Sequence, residues 1–382
     1  MIRSLTRNMI CFCAAIVLLM LMVCAVEVVL RGLRFRSELR SHPQVSVLEE
    51  LITPDEATWI DVRPLMDQKW SFDNAPEVRI RTNEQGLRNA SISIPKPRGV
   101  YRILCLGGDN VFGSRQDVKE SLPVKLQQAL ARHSGMPVEV LNAGCPHAGP
   151  LINLLRYRSH LSTLQADLII FCLNEEDLHY DRDVRGALHL DPNKNPAYAS
   201  HPGLRGRGSP FMDGLCAEFV TADWLLGWAG DIAGMRSASS KTNTVPLRDS
   251  IHRDLAAIVP LSELVSGNFA HLLISISPSA WGVDRARNSL DKSQSSFAED
   301  VRHFLKDVRL SQQVEVHDGL AAFIRPGEVA SYFSAETGAL SSQGNELYAQ
   351  QLATFLLQTI PGLNGTPATS RVPPPGAASV VR

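Results

Sequence analysis

Short apolar runs, each ending in glycine or polar residues, recur through the middle of the chain. They cover residues 103–106, 138–141, 167–173, 272–277 and 314–316. Segments with apolar residues at helical spacing lie between them, for example over 124–131 and 151–164. The run 167–173 is apolar apart from Asp167, which is typical of a strand covered on both faces. The alternation therefore predicts an α/β domain, with five parallel strands in a doubly wound sheet and helices on both sides.

The turn after the first apolar run is a candidate site. It reads Gly107-Gly108-Asp109-Asn110 and closes at Gly113, a pattern that indicates a buried strand ending in a tight turn. Loops at the carboxyl ends of parallel strands line the ligand crevice of such sheets, so the polar tip of this turn is a candidate site residue. The alternative is that Asp109 and Asn110 only cap the helix that follows.

The N-terminal segment has the length of a membrane span. Residues 9–30 are apolar apart from Glu27, long enough to cross a hydrocarbon core roughly 30 Å thick. A small-residue cleavage site is missing, so residues 1–34 are predicted to be a retained transmembrane signal-anchor. The arginines on the two sides of the span favour a cytoplasmic body under the positive-inside rule.

The remaining segments define the expected domain organisation. Residues 35–98 are predicted to be a stalk and lead-in, and residues 99–360 to be the α/β domain. Residues 176–250 break the alternation and form an insertion, which is either a lid or binding surface or a loosely packed excursion. The proline-rich residues 361–382 are predicted to be a disordered tail.

Composition excludes several classes of partner. The formal net charge is −1, which gives no basic surface for nucleic acid. The seven cysteines include no C-x-x-C pair or zinc-site spacing. Neither a metal nor a cofactor is therefore expected.

The turn and its flanks resemble a known family. Residues 101–113, with the lead-in 83–88, are similar to the first block of the SGNH, or GDSL-type, hydrolases, which reads roughly G-D-S-x-x-x-G. When Gly107 and Gly113 are aligned with the two glycines, Asp109 stands at the position of the nucleophilic serine. The resemblance implies an SGNH-hydrolase-like (flavodoxin-like) three-layer sandwich.

Two further blocks resemble the oxyanion donors of that family. Asn142-Ala143-Gly144 is similar to the second block, which implies that the backbone N–H of Gly144 is one donor. Asn174 stands at the asparagine of the third block, whose side-chain amide is the other donor. The resemblance therefore implies that both oxyanion positions are retained.

The last block of the family, D-x-x-H-L-S, aligns with residues 336–341. This alignment places Glu336 at the acid position and Ala339 at the histidine. Ester hydrolysis of this kind needs a hydroxyl, an imidazole that takes its proton, and a carboxylate that orients the imidazole. Asp109 and Ala339 supply neither the hydroxyl nor the imidazole, and no pattern directs the nearby His147 or His179 at Asp109.

Three functions are compatible with these residues. The leading hypothesis is a membrane-anchored SGNH-fold protein that has lost hydrolytic chemistry and binds or scaffolds a glycan or an acylated envelope component. The second is a divergent esterase or O-acyltransferase acting on acylated glycans or other envelope esters with non-standard residues. The third is a purely structural, membrane-tethered domain. Anchored bacterial domains of this family usually lie outside the inner membrane, so the resemblance implies a periplasmic or extracytoplasmic body.

The altered residues also predict a change in ligand preference. Asp109 and Glu336 would share the crevice, with Glu175 at its edge. Two carboxylates in one site repel each other, so either one has a raised pKa or a cation lies with them. We therefore expect the crevice to prefer cationic or hydroxyl-rich ligands over an oxyanion.

Overall fold

The computed structural model describes residues 18, 22, 24–27, 50–71, 77–201, 247–288, 296–324, 329–334, 338–360 and 363. Most of the predicted signal-anchor, residues 202–246 of the predicted insertion, Glu336 and the tail beyond Leu363 lie outside these residues. The described residues between 18 and 27 are helical. Across the described ranges, no helix combines the length and apolarity needed to cross a membrane.

Two antiparallel hairpins precede the main sheet. The first pairs β1 (Ile52–Asp55) with β2 (Trp59–Val62), and the second pairs β3 (Asp67–Trp70) with β4 (Val78–Arg81). Their apolar side chains, such as the fully buried Ile80, join the main hydrophobic core. The hairpins are therefore packed against the domain.

The other strands build the main sheet and one further hairpin. They are β5 (Tyr101–Gly107), β6 (Val138–Asn142), β7 (Leu168–Leu173), β8 (Leu188–Leu190), β9 (Pro196–Ala199), β10 (His271–Ile276) and β11 (Val314–Asp318). Five of them form a parallel sheet in the order β6-β5-β7-β10-β11, and β8 and β9 pair with each other. The prediction of five parallel strands from five apolar runs is confirmed.

Helices cover both faces of this sheet. They are α1 (Asp109–Phe112), α2 (Leu122–Ala131), α3 (Pro150–Ser159), α4 (Asp181–Gly186), α5 (Leu247–Leu255), α6 (Ile258–Gly267), α7 (Ala280–Asn288), α8 (Phe297–Asp307) and α9 (Ser342–Thr359). Alternate strand residues point to opposite faces: Ile103 packs with α2 and α9, whereas Leu104 packs with α3, α6 and α8. The result is the three-layer sandwich that the resemblance implied.

Two predicted segments, the helix over 151–164 and the insertion over 176–250, differ in detail from the structure. The segment predicted as one helix to Leu164 ends at Ser159, because His160 leaves the helical region with φ −146°, and a 3₁₀ turn follows over Leu161–Leu164. The described part of the predicted insertion contains a 3₁₀ turn (Glu175–Tyr180), α4 and the β8–β9 hairpin. Short elements of this kind carry little periodicity, which is why the sequence pattern did not predict them.

A polar network lies inside the layer between the sheet and α9. The Ser275 hydroxyl contacts Nδ1 of His317 at 2.9 Å and the Tyr348 hydroxyl at 2.7 Å. His317 is only 7% exposed, and burial lowers its pKa to about 4, with Arg302 acting in the same direction. The folded protein therefore holds this imidazole in its neutral form.

This burial predicts a loss of stability in acid. In the unfolded chain the imidazole has a pKa of about 6.5, so folding lowers its pKa. The stability that this neutral, buried imidazole contributes is fully present above about pH 6.5 and is lost as the pH falls toward about 4. Between pH 8 and pH 4.5 this group should lower the free energy of unfolding by about 2–3 kcal/mol. His317→Gln should remove that part of the pH dependence in urea denaturation, whereas His271→Gln, at an exposed histidine, should not. Parallel pH profiles for wild type and His317→Gln would contradict the prediction.

Candidate functional site

The turn after β5 places Asp109 at the carboxyl edge of the sheet. Gly107 has φ +152°, and its carbonyl accepts a hydrogen bond from Cys145 N at 3.0 Å, which joins the turn to the loop after β6. Asp109 is half-buried and begins α1, and Gly113 ends α1 in the left-handed conformation. The turn therefore presents Asp109 where a ligand crevice of an open α/β sheet is expected.

The Asp109 carboxylate accepts hydrogen bonds from a residue of the loop that follows α1. Its Oδ1 atom accepts hydrogen bonds from the Ser114 hydroxyl and, at 3.3 Å, from the Ser114 backbone N–H. The N-cap of α1 is Gly108, which makes no side-chain capping bond. Asp109 therefore closes the loop after α1, whereas the sequence alternative placed it as a helix cap. Its neighbour Asn110 donates to the Ser277 hydroxyl at 3.4 Å, which links the turn to the end of β10.

Gly144 lies against α1, and its N–H already has a partner. This N–H donates to Asn142 Oδ1 at 3.1 Å. A Cβ atom at Gly144 would lie 2.3 Å from Phe112 N, so only glycine allows this approach. The group that the resemblance assigned to the oxyanion is thus held by Asn142, which also donates to the Phe112 carbonyl at 3.3 Å.

Asn174 follows β7 and caps the 3₁₀ turn over Glu175–Tyr180. Its Oδ1 atom accepts from Glu176 N at 3.2 Å, and the residue is 6% exposed. Its amide nitrogen makes no hydrogen bond to the described residues. Of the two predicted oxyanion donors, the Asn174 amide is the one that keeps a free N–H in the described part of the chain.

The loop of the last block is described only in part. Glu336 lies outside the described residues. The Ala339 carbonyl accepts from Ser334 N at 2.8 Å, and Leu340 forms a bridge with Phe333. Ala339, which stands where the family has histidine, therefore takes part in a turn through its backbone carbonyl and carries only a methyl side chain.

Asp177 is a site residue that the sequence analysis did not identify. A Cβ atom added to Gly108 would lie 2.7 Å from Asp177 Oδ1, so this carboxyl group rests on the turn that presents Asp109. Burial raises the pKa of Asp177 well above its usual value, and Asp109 and Glu176 raise it further. Asp109 therefore has a second carboxylate, Asp177, near it, while the expected pairing with Glu336 involves a residue outside the described ranges. The run of three acidic residues after β7 was the only signal for it.

Three rings lie beside these carboxylates. His147 has a left-handed backbone, with φ 60°, and its ring meets Tyr180 at 4.7 Å between centroids; His179 meets Tyr180 at 4.0 Å. Burial lowers the pKa of His147, while Asp109 acts to raise it. Burial and the carboxylates of Asp177 and Asp109 raise the pKa of Tyr180 to about 12. The described residues contain no group of three ligating side chains that could hold a metal ion.

Arg88 supports the turn from the interior. Its guanidinium donates to the carbonyl of Phe112 at 2.9 Å and to the carbonyls of Gly113 and Gln116. It is 1% exposed, and burial lowers its pKa to about 10 while Asp109 acts in the opposite direction. The C-terminal carbonyls of α1 are thus satisfied by a buried cation.

Comparison with known proteins gives similarity of structure only. No family model and no curated protein matches the chain. Among solved structures, TesA is 13% identical with a TM-score of 0.39, covering 67% of this chain and 98% of its own. A lipolytic protein of the G-D-S-L family from Veillonella parvula is 12% identical with a TM-score of 0.37, covering 68% and 98%. A GDSL-like lipase from Bacteroides thetaiotaomicron is 10% identical with a TM-score of 0.33, covering 67% and 88%. GDSL-type lipolytic hydrolases are the superfamily that the sequence blocks resemble.

The contact between Gly144 and α1 predicts a strong effect of one methyl group. Gly144→Ala should lower the free energy of unfolding by about 2–3 kcal/mol, because backbone atoms of α1 would have to move. Gly186→Ala is the matched control, since a Cβ atom there meets nothing within 4 Å and φ is not positive. That control should change stability by less than about 1 kcal/mol in urea denaturation. Equal stability of the two variants would show that α1 can move away from Gly144 at little cost.

Proposed function

We propose that this chain is an SGNH-fold protein that has lost ester-hydrolysis chemistry and binds or scaffolds a ligand of the cell envelope, a glycan or an acylated component. The observation that carries the proposal is that a carboxylate stands at the nucleophile position, bound by Ser114 and adjacent to a second carboxylate, Asp177. A serine hydroxyl and its activating imidazole have no counterpart at Asp109 and Ala339.

Electrostatics opposes a developing oxyanion at this site. A preorganised donor contributes about 3–4 kcal/mol to such a transition state. An ionised carboxylate about 4 Å away costs about 4 kcal/mol at an effective dielectric constant of about 20. Asp109 therefore offsets the one donor, Asn174, that keeps a free N–H, and the Gly144 N–H is already donated to Asn142.

The second candidate is a divergent esterase or O-acyltransferase. The observation that favours it is the position of His147, whose imidazole lies within electrostatic range of Asp109 and has a lowered pKa. In such a reaction the Asp109 carboxylate would attack the acyl carbon to form a mixed anhydride, and His147 in its protonated form would donate a proton to the departing alkoxide, which leaves as the alcohol. Water deprotonated by His147 would then hydrolyse that anhydride. No hydrogen bond joins His147 to Asp109 in the structure, so this candidate ranks second. A purely structural domain ranks third, because Asn174 keeps an unused donor at the crevice.

The leading proposal predicts no esterase activity. The purified chain should not hydrolyse short p-nitrophenyl esters above background, because the hydroxyl and the base are missing. Rates are to be measured for wild type, Asp109→Ala, Asn174→Ala and His147→Ala. Turnover that disappears in Asp109→Ala and His147→Ala would establish the second candidate in place of the first.

Membrane attachment forms part of the same proposal. The apolar length of residues 9–30 supports a single span, with the body on the extracytoplasmic side. A C-terminal fusion to a phosphatase that is active only outside the cytoplasm should be active, and a fusion to a reporter that works only in the cytoplasm should be silent. The reverse pattern would place the body in the cytoplasm, as the flanking arginines alone favour.

A further inference from the structure

A half-exposed tryptophan stands at the edge of the sheet that carries the site. Trp281 lies in the first turn of α7, directly after β10, and is 50% exposed. Its helix begins three residues after Ser277, whose hydroxyl accepts the hydrogen bond from Asn110. An exposed indole at this edge is not explained by packing of the core.

Trp281 is held in place by a charged pair. Arg285, one helical turn further along α7, lies over the indole at 5.1 Å from the ring centroid. The same guanidinium contacts the Glu175 carboxylate at 3.3 Å, and Glu175 directly follows Asn174. We call Trp281, Arg285 and Glu175 the indole shelf. Arg285 lies over one face of the ring, and half of the Trp281 surface remains accessible to solvent.

The indole shelf rests on a fixed helix. Val283 is fully buried, and the Ser279 hydroxyl accepts from Gly282 N at 3.0 Å, which caps the first turn of α7. A Cβ atom on Gly338 would lie 3.7 Å from the Ala280 Cβ, so α7 also touches the loop of the last block. The shelf therefore lies between that loop and Glu175, which directly follows Asn174 at the carboxyl edge of the sheet.

The chemistry of the indole shelf selects among ligand classes. An acyl chain on the indole would remove water from the adjacent Arg285–Glu175 pair, which is costly. A cationic group on the ring would meet the positive charge of Arg285 beside it. A sugar ring has an apolar C–H face that can stack on the indole, and hydroxyl groups that can donate to Glu175 and accept from Arg285.

We propose that the indole shelf is a subsite for a pyranose ring of a glycan. The ring stacks on the open face of Trp281 and hydrogen-bonds the carboxylate of Glu175 and the guanidinium of Arg285. A sugar unit on the indole shelf places the neighbouring part of the glycan at the Asn174 amide. This inference rests on the proposed function as a binding domain, and it adds the ligand class and the residues that recognise it.

The test is glycan binding by the full-length chain. An array of neutral and acidic oligosaccharides of hexose and N-acetylhexosamine units identifies a ligand, and calorimetry then gives its affinity for each variant. Trp281→Ala should weaken binding at least about tenfold, and Trp281→Phe, which keeps an aromatic ring, should weaken it less. Phe269→Asn is the control, because Phe269 is 94% exposed with φ 59° at the opposite end of β10. Ligand should also shift the tryptophan emission of wild type but not of Trp281→Phe.

Two results would overturn the inference. One is that no oligosaccharide of the array binds the folded wild type. The other is that Trp281→Ala and Trp281→Phe, with wild-type thermal midpoints, bind as wild type does. If Trp281→Ala does not fold, Trp281→Phe and Arg285→Met decide, and unchanged affinity in both overturns the inference. Ester turnover lost in Asp109→Ala would defeat the proposed function while leaving the result for Trp281 intact, so the two failures are distinguishable.

Discussion

Arg88 is a buried, positively charged residue that lies directly behind the turn carrying Asp109. Its guanidinium binds carbonyls at the end of α1, stacks on the Phe112 ring at 5.4 Å, and its backbone N–H donates to the Asn142 carbonyl. One residue of the lead-in thereby connects the first two blocks of the site. Removal of this buried cation would take one donor from each of the Phe112, Gly113 and Gln116 carbonyls, and a buried group left without a donor costs about 1–3 kcal/mol. The lead-in is thus a structural part of the site.

A second buried arginine repeats this arrangement. Arg156 of α3 donates to the Ala143 carbonyl at 2.7 Å, beside Gly144, and to Asp61 of β2 at 2.9 Å. Loops that form a site have few backbone partners of their own, so their carbonyls need donors from elsewhere. Arginine supplies several donors from one side chain, which allows it to hold irregular backbone in a fixed position. Through Asp61 of β2, the first hairpin therefore helps to hold the loop that carries Gly144.

The sequence predicted the sheet well because its three central strands, β5, β7 and β10, are buried on both faces and consist largely of apolar residues. The first turn was equally readable, since Gly107 and Gly113 mark where the strand and α1 end. Asp177 could not be predicted, because it reaches Gly108 only through the 3₁₀ turn after Asn174, and short turns have no periodic signal. The same holds for the bond between Asp109 and Ser114 and for the indole shelf, where Arg285 and Glu175 are brought together by α7 and β7. Contacts between distant segments depend on tertiary structure, which local patterns do not encode.

The hydrogen bonds and close contacts of the site hold its residues in place whether or not a reaction occurs there. Gly144 is needed for the close contact with α1, and Asn174 is needed to cap a turn. Both residues therefore contribute to the stability of the fold, independently of any reaction. Asp109 is likewise satisfied by Ser114 without a histidine. The Gly144 contact and the Asn174 cap involve neither Asp109 nor Ala339. Under the proposed loss of hydrolysis these supports stay in place, and the Asn174 amide and the indole shelf remain available for binding.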